Sequence, residues 1–350
     1  MSDIPLLGVF GQVGQSFLPQ FRDALPDWQV VGWTNADPVE LRDQTLQGCK
    51  AAVMGPDFIL GPGNLPALLA APKLELLVQS WAGTDWASPA LLPQGVILCN
   101  SGGHGAPMSE FVMAAILSHV TEIRELEAEL RRGDWSRSGR NPDPTVLHGD
   151  LAGKTIGLVG YGEIAQAVAK RAQNFDVRLI AIARSERPAA PAPLDWIGTS
   201  ADLHRLCQES DIIVVTCDLN AETEGLIDAA AFTAMQQHCF LVNVARGEVV
   251  EEEALYEALA TRKIAAAAID TWYRYPTNIL DPEPDPDRGG PFRGSRFDFY
   301  SLENIVVTPH CSANSQGADR GRYKIIIETV TDFAAGRALK RAVMTGTAER

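Results

Sequence analysis

The stretch KTIGLVGYGEIAQAVAKRAQNF, residues 154–175, decides the fold because it joins an apolar strand to a helix through a glycine turn. Its start, Thr155–Val159, is typical of a strand that is covered on both faces. The turn has the pattern Gly160-x-Gly162-x-x-Ala165, in which the first glycine permits a tight bend and the second lets the backbone approach a pyrophosphate. Ala165 is small enough for close packing of helix on strand, and free N–H groups at the helix start favour phosphate. The stretch predicts a dinucleotide-binding turn.

Strand and helix patterns of the same kind extend on both sides of this turn. The predicted strands are Leu6–Phe10, Gln29–Trp33, Ala51–Met54, Leu74–Gln79 and Val96–Cys99 in a first series, and Thr155–Val159, Val177–Ile182, Ile212–Thr216, Phe240–Val244, Ala265–Ile269 and Ile305–Thr308 in a second. Helical segments separate most of them, and this alternation implies parallel sheets. The sequence predicts an α/β fold in which the second series forms a six-stranded doubly wound sheet.

Three further segments lie outside this alternation. A helical run from Met108 to about Arg131 is apolar first and charged later, so we expect it to begin buried and end at a surface or subunit contact. A last helix is predicted from about Gln316 to Ala335. An acidic, proline-rich stretch, residues 276–299, is long for a loop in a compact domain. It is interpreted either as a lid or wall of an active site or as a mobile surface insertion.

Composition and charge narrow the functional classes. The chain has 350 residues, of which 46% are hydrophobic and 21% charged, a globular composition with room for two domains. Its net charge of −14 argues against nucleic acid and anionic membranes as main partners. The first residues lack the basic segment of a signal peptide, and no apolar run has the length of a membrane span. We expect a cytoplasmic protein that acts on small molecules.

The cysteines support the same interpretation. The chain contains Cys49, Cys99, Cys207, Cys217, Cys239 and Cys311. None forms a CxxC pair, and most lie in or beside apolar runs. We therefore expect buried free thiols in a reducing compartment and predict no metal site.

The stretch VNVARGEVVEEEAL, residues 242–255, ends an apolar run on Arg246. A buried guanidinium is unfavourable unless it has a partner. That partner is either an acid of the same stretch, such as Glu248 or Glu251, or an anionic ligand. A carboxylate ligand suits arginine because two parallel N–H bonds form at once.

The end of the second strand of this series, IAIARSER at residues 180–187, bears on the choice of dinucleotide. An Asp or Glu usually stands here when the ribose has a free 2′-hydroxyl. Ala183 and Arg184 occupy these positions. Arg184, with Ser185 and with Arg187 as a further candidate, would suit a 2′-phosphate. This favours NADP over NAD. Glu186 weakens the argument, and a solvated arginine is the alternative.

Several separated segments give the chain a resemblance to the D-isomer-specific 2-hydroxyacid dehydrogenase family, in particular to glyoxylate/hydroxypyruvate reductases. The segments are VQSWAGTDWA (78–87), SGGHGAPMSEFVMAAIL (101–117), GKTIGLVGYGEIA (153–165), VNVARGEVVEEEAL (242–255), AAAIDTW (266–272) and NIVVTPHCSA (304–313). The resemblance implies a flavodoxin-like substrate domain, residues 1–102 plus 314–350, and a Rossmann NAD(P)-binding domain, residues 103–313. It also implies an active site in the cleft between them and a homodimer that pairs through the coenzyme domain.

The resemblance assigns roles to individual residues. Arg246 matches the arginine that binds the substrate carboxylate and carbonyl oxygen, and His310 matches the histidine that exchanges a proton with the substrate oxygen. Ala82 and Gly83 match the loop whose N–H groups hold the carboxylate, and Trp81 flanks that loop. The residues that match the cofactor-binding positions are Met108, Gly160, Gly162, Glu163, Ile164, Cys217, Asp218, Val244, Ala245 and Asp270. Asp218 stands where the family usually has proline, so the chain departs from the family at this position.

The chain departs from the family at the partner of the histidine. The family usually has a glutamate five residues after the aspartate, whereas this chain has Tyr275. A phenol can hydrogen-bond an imidazole but supplies no charge at neutral pH. We therefore expect reduction to fall off at a lower pH than in Glu-paired relatives. Asp281 or Glu283 would be a substitute if the acidic stretch folds back toward the histidine. Formate dehydrogenases of the same superfamily have a glutamine at this position, and they transfer hydride without the glutamate.

These observations together predict an NADP-preferring oxidoreductase that reduces a small 2-oxo acid, such as glyoxylate or hydroxypyruvate, to the D-2-hydroxy acid. Arg246, His310 and Tyr275 are the predicted catalytic residues. One alternative is a dehydrogenase for a different acid, either formate-like or bulkier. The other is a cofactor-sensing binding protein that has lost catalysis, an interpretation that the presence of Arg246 and His310 opposes.

Overall fold

A computed structural model describes residues 4–277 and 282–349 of the chain. The chain divides into two compact units, residues 1–104 with 315–350 (unit 1) and residues 105–314 (unit 2). The strands of the described residues are β1 (Leu6–Phe10), β2 (Gln29–Trp33), β3 (Cys49–Met54), β4 (Leu76–Gln79), β5 (Ile97–Cys99), β6 (Thr155–Val159), β7 (Arg178–Ile182), β8 (Trp196–Gly198), β9 (Ile212–Val215), β10 (Phe240–Asn243), β11 (Ala266–Ile269), β12 (Ile305–Val307) and β13 (Ala342–Thr345). The α-helices are α1 (Gln12–Gln15), α2 (Leu18–Ala24), α3 (Val39–Gly48), α4 (Pro56–Ile59), α5 (Asn64–Leu69), α6 (Gly105–Thr121), α7 (Ile123–Arg131), α8 (Glu163–Ala172), α9 (Leu203–Glu209), α10 (Ala229–Ala234), α11 (Glu252–Ala260) and α12 (Gln316–Ala334).

Unit 1 is built on a sheet with the strand order β13-β5-β4-β3-β1-β2. Its neighbouring strands are parallel except β13 and β5, which are antiparallel. Strands β3 and β4 are buried almost throughout, as their continuous apolar runs require when both faces of a sheet are covered. Helix α12 packs on one face through Tyr323, Ile326 and Val330. The C-terminal helix therefore belongs to unit 1.

Unit 2 is built on a parallel sheet with the order β12-β11-β10-β9-β6-β7-β8. Two apolar clusters cover its faces, one around Leu206, Ile213 and Leu241 and one around Ile116 and Leu158. The strand order reverses next to β6, because the chain continues to β7 on one side and later to β9 on the other. In open sheets of this kind ligands bind at the carboxyl ends of the strands at this reversal. The predicted α/β class with two parallel-sheet domains is confirmed.

Some details differ from the sequence predictions. The sheet of unit 2 gains a seventh strand within the described residues, the short β8, and unit 1 gains β13. The continuous helix predicted from Met108 to Arg131 is wrong, because Glu122 adopts a left-handed conformation with φ of 51° and separates α6 from α7. Helix α7 has no buried residue, in agreement with its charged sequence.

Residues 282–299 of the acidic stretch have defined local contacts. The carboxylate of Asp285 is buried and accepts hydrogen bonds from the backbone N–H groups of Asp287, Arg288 and Arg293 at 3.1, 3.1 and 3.2 Å. Ser295 donates a hydrogen bond to Glu252 at the start of α11, at 2.7 Å. These contacts tie the stretch to the body of unit 2.

Three further features of the described residues bear on the sequence predictions: the state of the cysteines, membrane-spanning helices and metal-binding groups. All six cysteines are free, four of them buried and Cys217 and Cys311 half-buried. In residues 4–277 and 282–349, no helix is long and apolar enough to cross a bilayer. Within the same residues, no group of His, Cys, Asp and Glu side chains is arranged to hold a metal ion.

Candidate active site

The glycine turn after β6 has the geometry that a pyrophosphate requires. Gly160 has φ of +90°, and a Cβ on it would lie 2.8 Å from the Cα of Cys217, so only glycine fits. Gly162 is the N-cap of α8, and no atom lies within 4 Å of the point where its Cβ would be. Ala165 is fully buried against the sheet. The free N–H groups at the start of α8 therefore face open space, and they fit a dinucleotide phosphate.

Arg184 follows β7, and Asp218 follows β9. The structure brings the two together, with Nη2 of Arg184 3.5 Å from Oδ2 of Asp218. Their side chains are 70% and 82% exposed, so the pair contributes little to stability. Arg187 lies over the ring of Tyr161, between the two glycines, at 5.5 Å from the ring centre. Two guanidinium groups and the exposed Ser185 thus follow the strand end where the sequence predicts a 2′-phosphate site.

Several of the other residues predicted to bind the cofactor are packed in the apolar core of unit 2. Met108, Val244 and Ala245 are buried in the two apolar clusters of unit 2, and Ile164 packs against one of them. The carboxylate of Glu163 accepts a hydrogen bond from the N–H of the first α6 residue at 3.3 Å. Packing accounts for the buried side chains, so their assignment to the cofactor rests on the family resemblance.

Arg246 lies in a turn that a buried amide holds in place. Asn243, at the end of β10, donates a hydrogen bond from Nδ2 to the carbonyl of Arg246 at 2.8 Å. Its Oδ1 accepts a hydrogen bond from the N–H of Ala245 at 3.0 Å. The guanidinium donates to the carbonyl of Ala245 at 2.8 Å, and the side chain is half-buried. This turn therefore presents a cation at the carboxyl end of a central strand.

His310 lies in a turn after β12 that Asp270 anchors. One carboxylate oxygen of Asp270 accepts hydrogen bonds from the Thr308 hydroxyl at 2.6 Å and from the Cys311 N–H at 2.8 Å, and the other accepts one from the Ser312 N–H at 2.9 Å. Burial alone would raise the pKa of Asp270, but these hydrogen bonds outweigh it and hold the pKa below its usual value. The anchored turn places His310 in the left-handed region, with φ of 55°, and leaves its side chain exposed.

Tyr275 contacts His310 through its ring. The two ring centres lie 5.5 Å apart at an angle of 45°. The phenol oxygen accepts a hydrogen bond from the backbone N–H of Trp272 at 3.1 Å. Burial raises the pKa of Tyr275, helped by Glu248 and Asp270 and opposed by the Trp272 N–H and by Arg246. The phenol is therefore neutral at neutral pH and provides His310 with an aromatic neighbour rather than with a charge.

Asp281 and Glu283 were the predicted substitutes for the glutamate that the family usually has beside the histidine. Asp281 lies outside the described residues. The carboxylate of Glu283 accepts hydrogen bonds from the N–H and the hydroxyl of Thr277 at 3.1 Å each. These bonds hold Glu283 next to the segment that follows Tyr275.

Replacing Tyr275 tests the effect of the missing charge. We expect Tyr275→Glu to move the alkaline limb of the pH–rate profile for reduction upward by roughly one pH unit, because an anion beside the imidazole favours its protonated form. The rate constant would be measured between pH 5 and 10 for reduction of a 2-oxo acid. Tyr275→Gln is the matched control, since it introduces a side chain of similar length to glutamate without charge. A limb that moves equally in both variants would show that charge is not the cause.

In unit 1 the predicted carboxylate loop follows β4. Gln79 is fully buried and donates hydrogen bonds to the carbonyl groups of Trp81 and Gly83 at 3.0 and 2.6 Å. Asn100 donates a hydrogen bond to the carbonyl of Ala82 at 2.9 Å. The loop therefore directs its carbonyl oxygens at side chains of unit 1, a conformation that suits the proposed use of its N–H groups.

Sequence reasoning missed Gln79 and Asn243, which shape these two loops. Each is a polar residue at the end of an otherwise apolar strand, and each is almost completely buried. A buried amide needs hydrogen-bond partners, and a strand end is where backbone groups of a following loop can supply them. This position was the available signal.

Comparison of the sequence with known proteins points to one family. Residues 113–312 match the family model for the NAD binding domain of D-isomer specific 2-hydroxyacid dehydrogenases. A glyoxylate reductase from Thermococcus kodakarensis is 32% identical over 270 residues, which are 76% of this chain and 75% of the relative. A hydroxypyruvate reductase from Thermotoga maritima is 32% identical over 254 residues, 72% of this chain and 74% of the relative.

Solved structures show the same fold over nearly the whole chain. A D-isomer specific 2-hydroxyacid dehydrogenase family protein from Aeromonas salmonicida superposes with a TM-score of 0.79 at 22% identity, covering 97% of this chain and 99% of the other. An NADPH-dependent glyoxylate/hydroxypyruvate reductase from Sinorhizobium meliloti, solved with NADP and malonate, superposes with a TM-score of 0.70 at 22% identity and 99% coverage of both chains. With a glycine turn suited to a dinucleotide, an arginine and a histidine at strand ends of one sheet, and these relatives, the chain belongs to the D-isomer specific 2-hydroxyacid dehydrogenase family of NAD(P)-dependent oxidoreductases.

Proposed function

We propose that this protein is an NADP-preferring reductase of small 2-oxo acids of the glyoxylate and hydroxypyruvate type, with a D-2-hydroxy acid as product. The names of the relatives support the substrate class, and Arg184 supports the cofactor preference. We assign Ala82 and Gly83 of unit 1 and Arg246 of unit 2 to substrate binding, and the other predicted site residues of unit 2 to cofactor binding and proton transfer.

Each protein group has a stated task in this proposal. Arg246 binds the substrate carboxylate through paired N–H bonds, and the N–H groups of Ala82 and Gly83 bind it as well, beside Trp81. When bound, a nicotinamide cofactor would supply the hydride. His310 donates a proton to the carbonyl oxygen during reduction and accepts it back during oxidation, a task for which an imidazole is suited near neutral pH.

One observation carries the proposal, namely that Tyr275 lies close to both Arg246 and His310. Its ring centre lies 5.5 Å from that of His310. Its hydroxyl is hydrogen-bonded to the N–H of Trp272, whose carbonyl packs against Gly247, the residue next to Arg246. An anion-binding group and a proton donor thus share one neighbour at the carboxyl ends of β10 and β12. A 2-oxo acid has its carboxylate and its carbonyl oxygen on adjacent carbons, which suits two such groups at one site.

The test is a set of initial rates. Oxidation of NADPH and of NADH would be followed with glyoxylate, hydroxypyruvate and pyruvate in turn, and reduction of NADP with formate as the reverse assay. We expect turnover with glyoxylate or hydroxypyruvate, and faster turnover with NADPH than with NADH. Formate oxidation without reduction of any 2-oxo acid would overturn the substrate class.

The cofactor preference has its own test in Arg184→Ala. We expect this variant to bind NADPH roughly ten- to a hundredfold more weakly, because a hydrogen bond to a charged group is lost, and to bind NADH with little change. Fluorescence titration of the two cofactors measures both affinities. Asp218→Asn is the opposite variant, since it removes the carboxylate that lies 3.5 Å from the guanidinium. It should tighten NADPH binding, and equal losses for both cofactors in Arg184→Ala would contradict the assignment.

We further propose a homodimer that pairs through unit 2, located in the cytoplasm. Its support is a set of exposed apolar side chains on and after α7: Ile123 at 61%, Leu130 at 49%, Trp135 at 70% and Leu147 at 68% exposure. Large apolar groups exposed in one region mark interaction surfaces. Sedimentation velocity should give twice the chain mass of 37.8 kDa, and Leu130→Glu should reduce it to the monomer. A monomeric wild type would contradict the dimer.

The six free thiols support the proposed cytoplasmic location, because the cytoplasm keeps thiols reduced. Imaging of the tagged chain in cells would test this location.

A further inference from the structure

Trp272 is a buried residue that the proposed function leaves without a role. Its side chain is 5% exposed, and its indole Nε1 donates a hydrogen bond to the carbonyl of Thr308 at 2.8 Å. Thr308 is the first residue after β12 and stands two positions before His310. The indole therefore holds the same turn that Asp270 holds through the Thr308 hydroxyl and the N–H groups after His310.

The backbone of Trp272 reaches the two other groups of the site. Its N–H donates the hydrogen bond to the phenol oxygen of Tyr275, whose ring contacts His310. Its carbonyl lies so close to Gly247 that a Cβ there would be 2.6 Å from the carbonyl oxygen. Gly247 follows Arg246 directly. A single residue therefore touches the His310 turn, the aromatic neighbour of His310 and the Arg246 turn.

The acidic stretch and Tyr300, the residue directly after it, pack against the indole. Tyr300 stacks on the Trp272 ring with centres 5.7 Å apart at 21°, and Phe299 meets it edge-on at 6.2 Å. A Cβ on Gly294 would lie 3.0 Å from Cβ and Cγ of Trp272, so the backbone of the stretch lies directly against this side chain.

The same stretch is bonded to the segment that carries Tyr275. The N–H of Arg274 donates a hydrogen bond to the carbonyl of Gly294 at 3.0 Å, and the Arg274 guanidinium pairs with Asp287 at 2.5 Å. The buried Asp285 organises the turn between these contacts. The stretch thus forms a backing for residues 272–275.

We propose that Trp272 is a positioning residue for His310, and that the acidic stretch acts on catalysis by fixing the indole. This inference rests on the proposed proton-transfer role of His310. The ring beside His310 is the neutral phenol of Tyr275. Two residues are bonded to the turn that carries His310. Asp270 accepts from the Thr308 hydroxyl and from the N–H groups after His310, and Trp272 donates to the Thr308 carbonyl.

The main test is Trp272→Phe, which keeps an aromatic ring for Tyr300 and removes the indole N–H. We expect kcat for 2-oxo acid reduction to fall about ten- to a hundredfold, since a small misplacement of a catalytic group has effects of this size. KM for glyoxylate and the Kd of NADPH should change by no more than about twofold, because uniform binding is unaffected.

A matched control exists on the other side of the same sheet. Trp196 of β8 also donates one indole hydrogen bond, to Glu209 at 3.2 Å. Trp196→Phe removes the same kind of bond, but β8 is the edge strand farthest from β12 in the sheet. We therefore expect this variant to lower Tm without lowering kcat. Tyr300→Leu is a second test variant, because it removes the stacking on Trp272. Tyr300 is 46% exposed, so its replacement disturbs folding less than replacement of the buried Trp272. It should lower kcat about threefold with unchanged KM, a smaller displacement than in Trp272→Phe.

A second readout needs no turnover. The imidazole resonance of His310, assigned by its loss in His310→Asn, should change in chemical shift in Trp272→Phe and remain unchanged in Trp196→Phe. Wild-type kcat together with a wild-type His310 resonance in Trp272→Phe would overturn the positioning role while the proposed function stands. A wild-type protein that reduces no 2-oxo acid would overturn the proposed function, and the His310 resonance would still decide whether Trp272 positions the imidazole.

Discussion

Arg246→Ala is expected to lower kcat/KM for glyoxylate about a thousandfold. Removing one partner of a desolvated, hydrogen-bonded charge pair has a free-energy effect of roughly 4 kcal/mol, and each 1.4 kcal/mol corresponds to a tenfold change. The loss should appear in steady-state kinetics mainly as a failure to saturate with substrate. The kcat/KM of Arg246→Lys should lie between those of the wild type and of Arg246→Ala, because lysine keeps the charge but not the planar fork of donors.

The affinity for NADPH separates this effect from a general disturbance. It should remain near the wild-type value in Arg246→Ala, because the proposed partner of Arg246 is the substrate. Arg205→Ala is a suitable control, since it removes an exposed guanidinium that pairs with Glu209 at 2.8 Å on α9. A kcat/KM within a few-fold of wild type in Arg246→Ala would contradict the assignment of this residue.

His310→Asn is expected to lower kcat for reduction about a thousandfold, within the range that a positioned acid or base contributes. Asparagine is chosen because His310 has φ of 55°, and asparagine tolerates the left-handed region better than alanine. The variant therefore removes the proton donor while it disturbs the turn as little as possible. The alkaline limb of the pH–rate profile should disappear with it.

His204→Asn provides the control, because His204 is an exposed residue of α9. It should leave kcat and the pH–rate profile unchanged. Binding of NADPH to His310→Asn, measured by fluorescence, should stay close to wild type. A variant that retains a wild-type pH dependence would show that another group donates the proton.

The strands and the cofactor turn could be predicted from the sequence because their causes are local. Strands such as β1, β2 and β6 begin and end where the apolar runs do. Position 160 requires glycine because its φ is positive and the backbone of Cys217 lies close to it. The strand and helix patterns on either side of the turn indicated a dinucleotide-binding turn. Arg246 and His310 were predicted as site residues because each stands in a segment with a strong family resemblance, and their roles stay predictions.

Other features depend on contacts that no local pattern contains. The indole of Trp272 reaches a carbonyl 36 residues later in the chain, and the role of Asn243 requires the turn that it stabilises. Glu122 ends α6 without a glycine or proline to mark the break. The three-residue strand β8 forms because β7 offers it an open edge. Each of these follows from tertiary packing, which overrides weak local preference.

The identity of the product tests the proposed reaction of this protein. Purified protein would be incubated with hydroxypyruvate and excess NADPH, and the resulting glycerate would be quantified and resolved by chiral chromatography. We predict one D-glycerate formed for each NADPH oxidised. Formation of L-glycerate, or oxidation of NADPH without glycerate, would contradict the account.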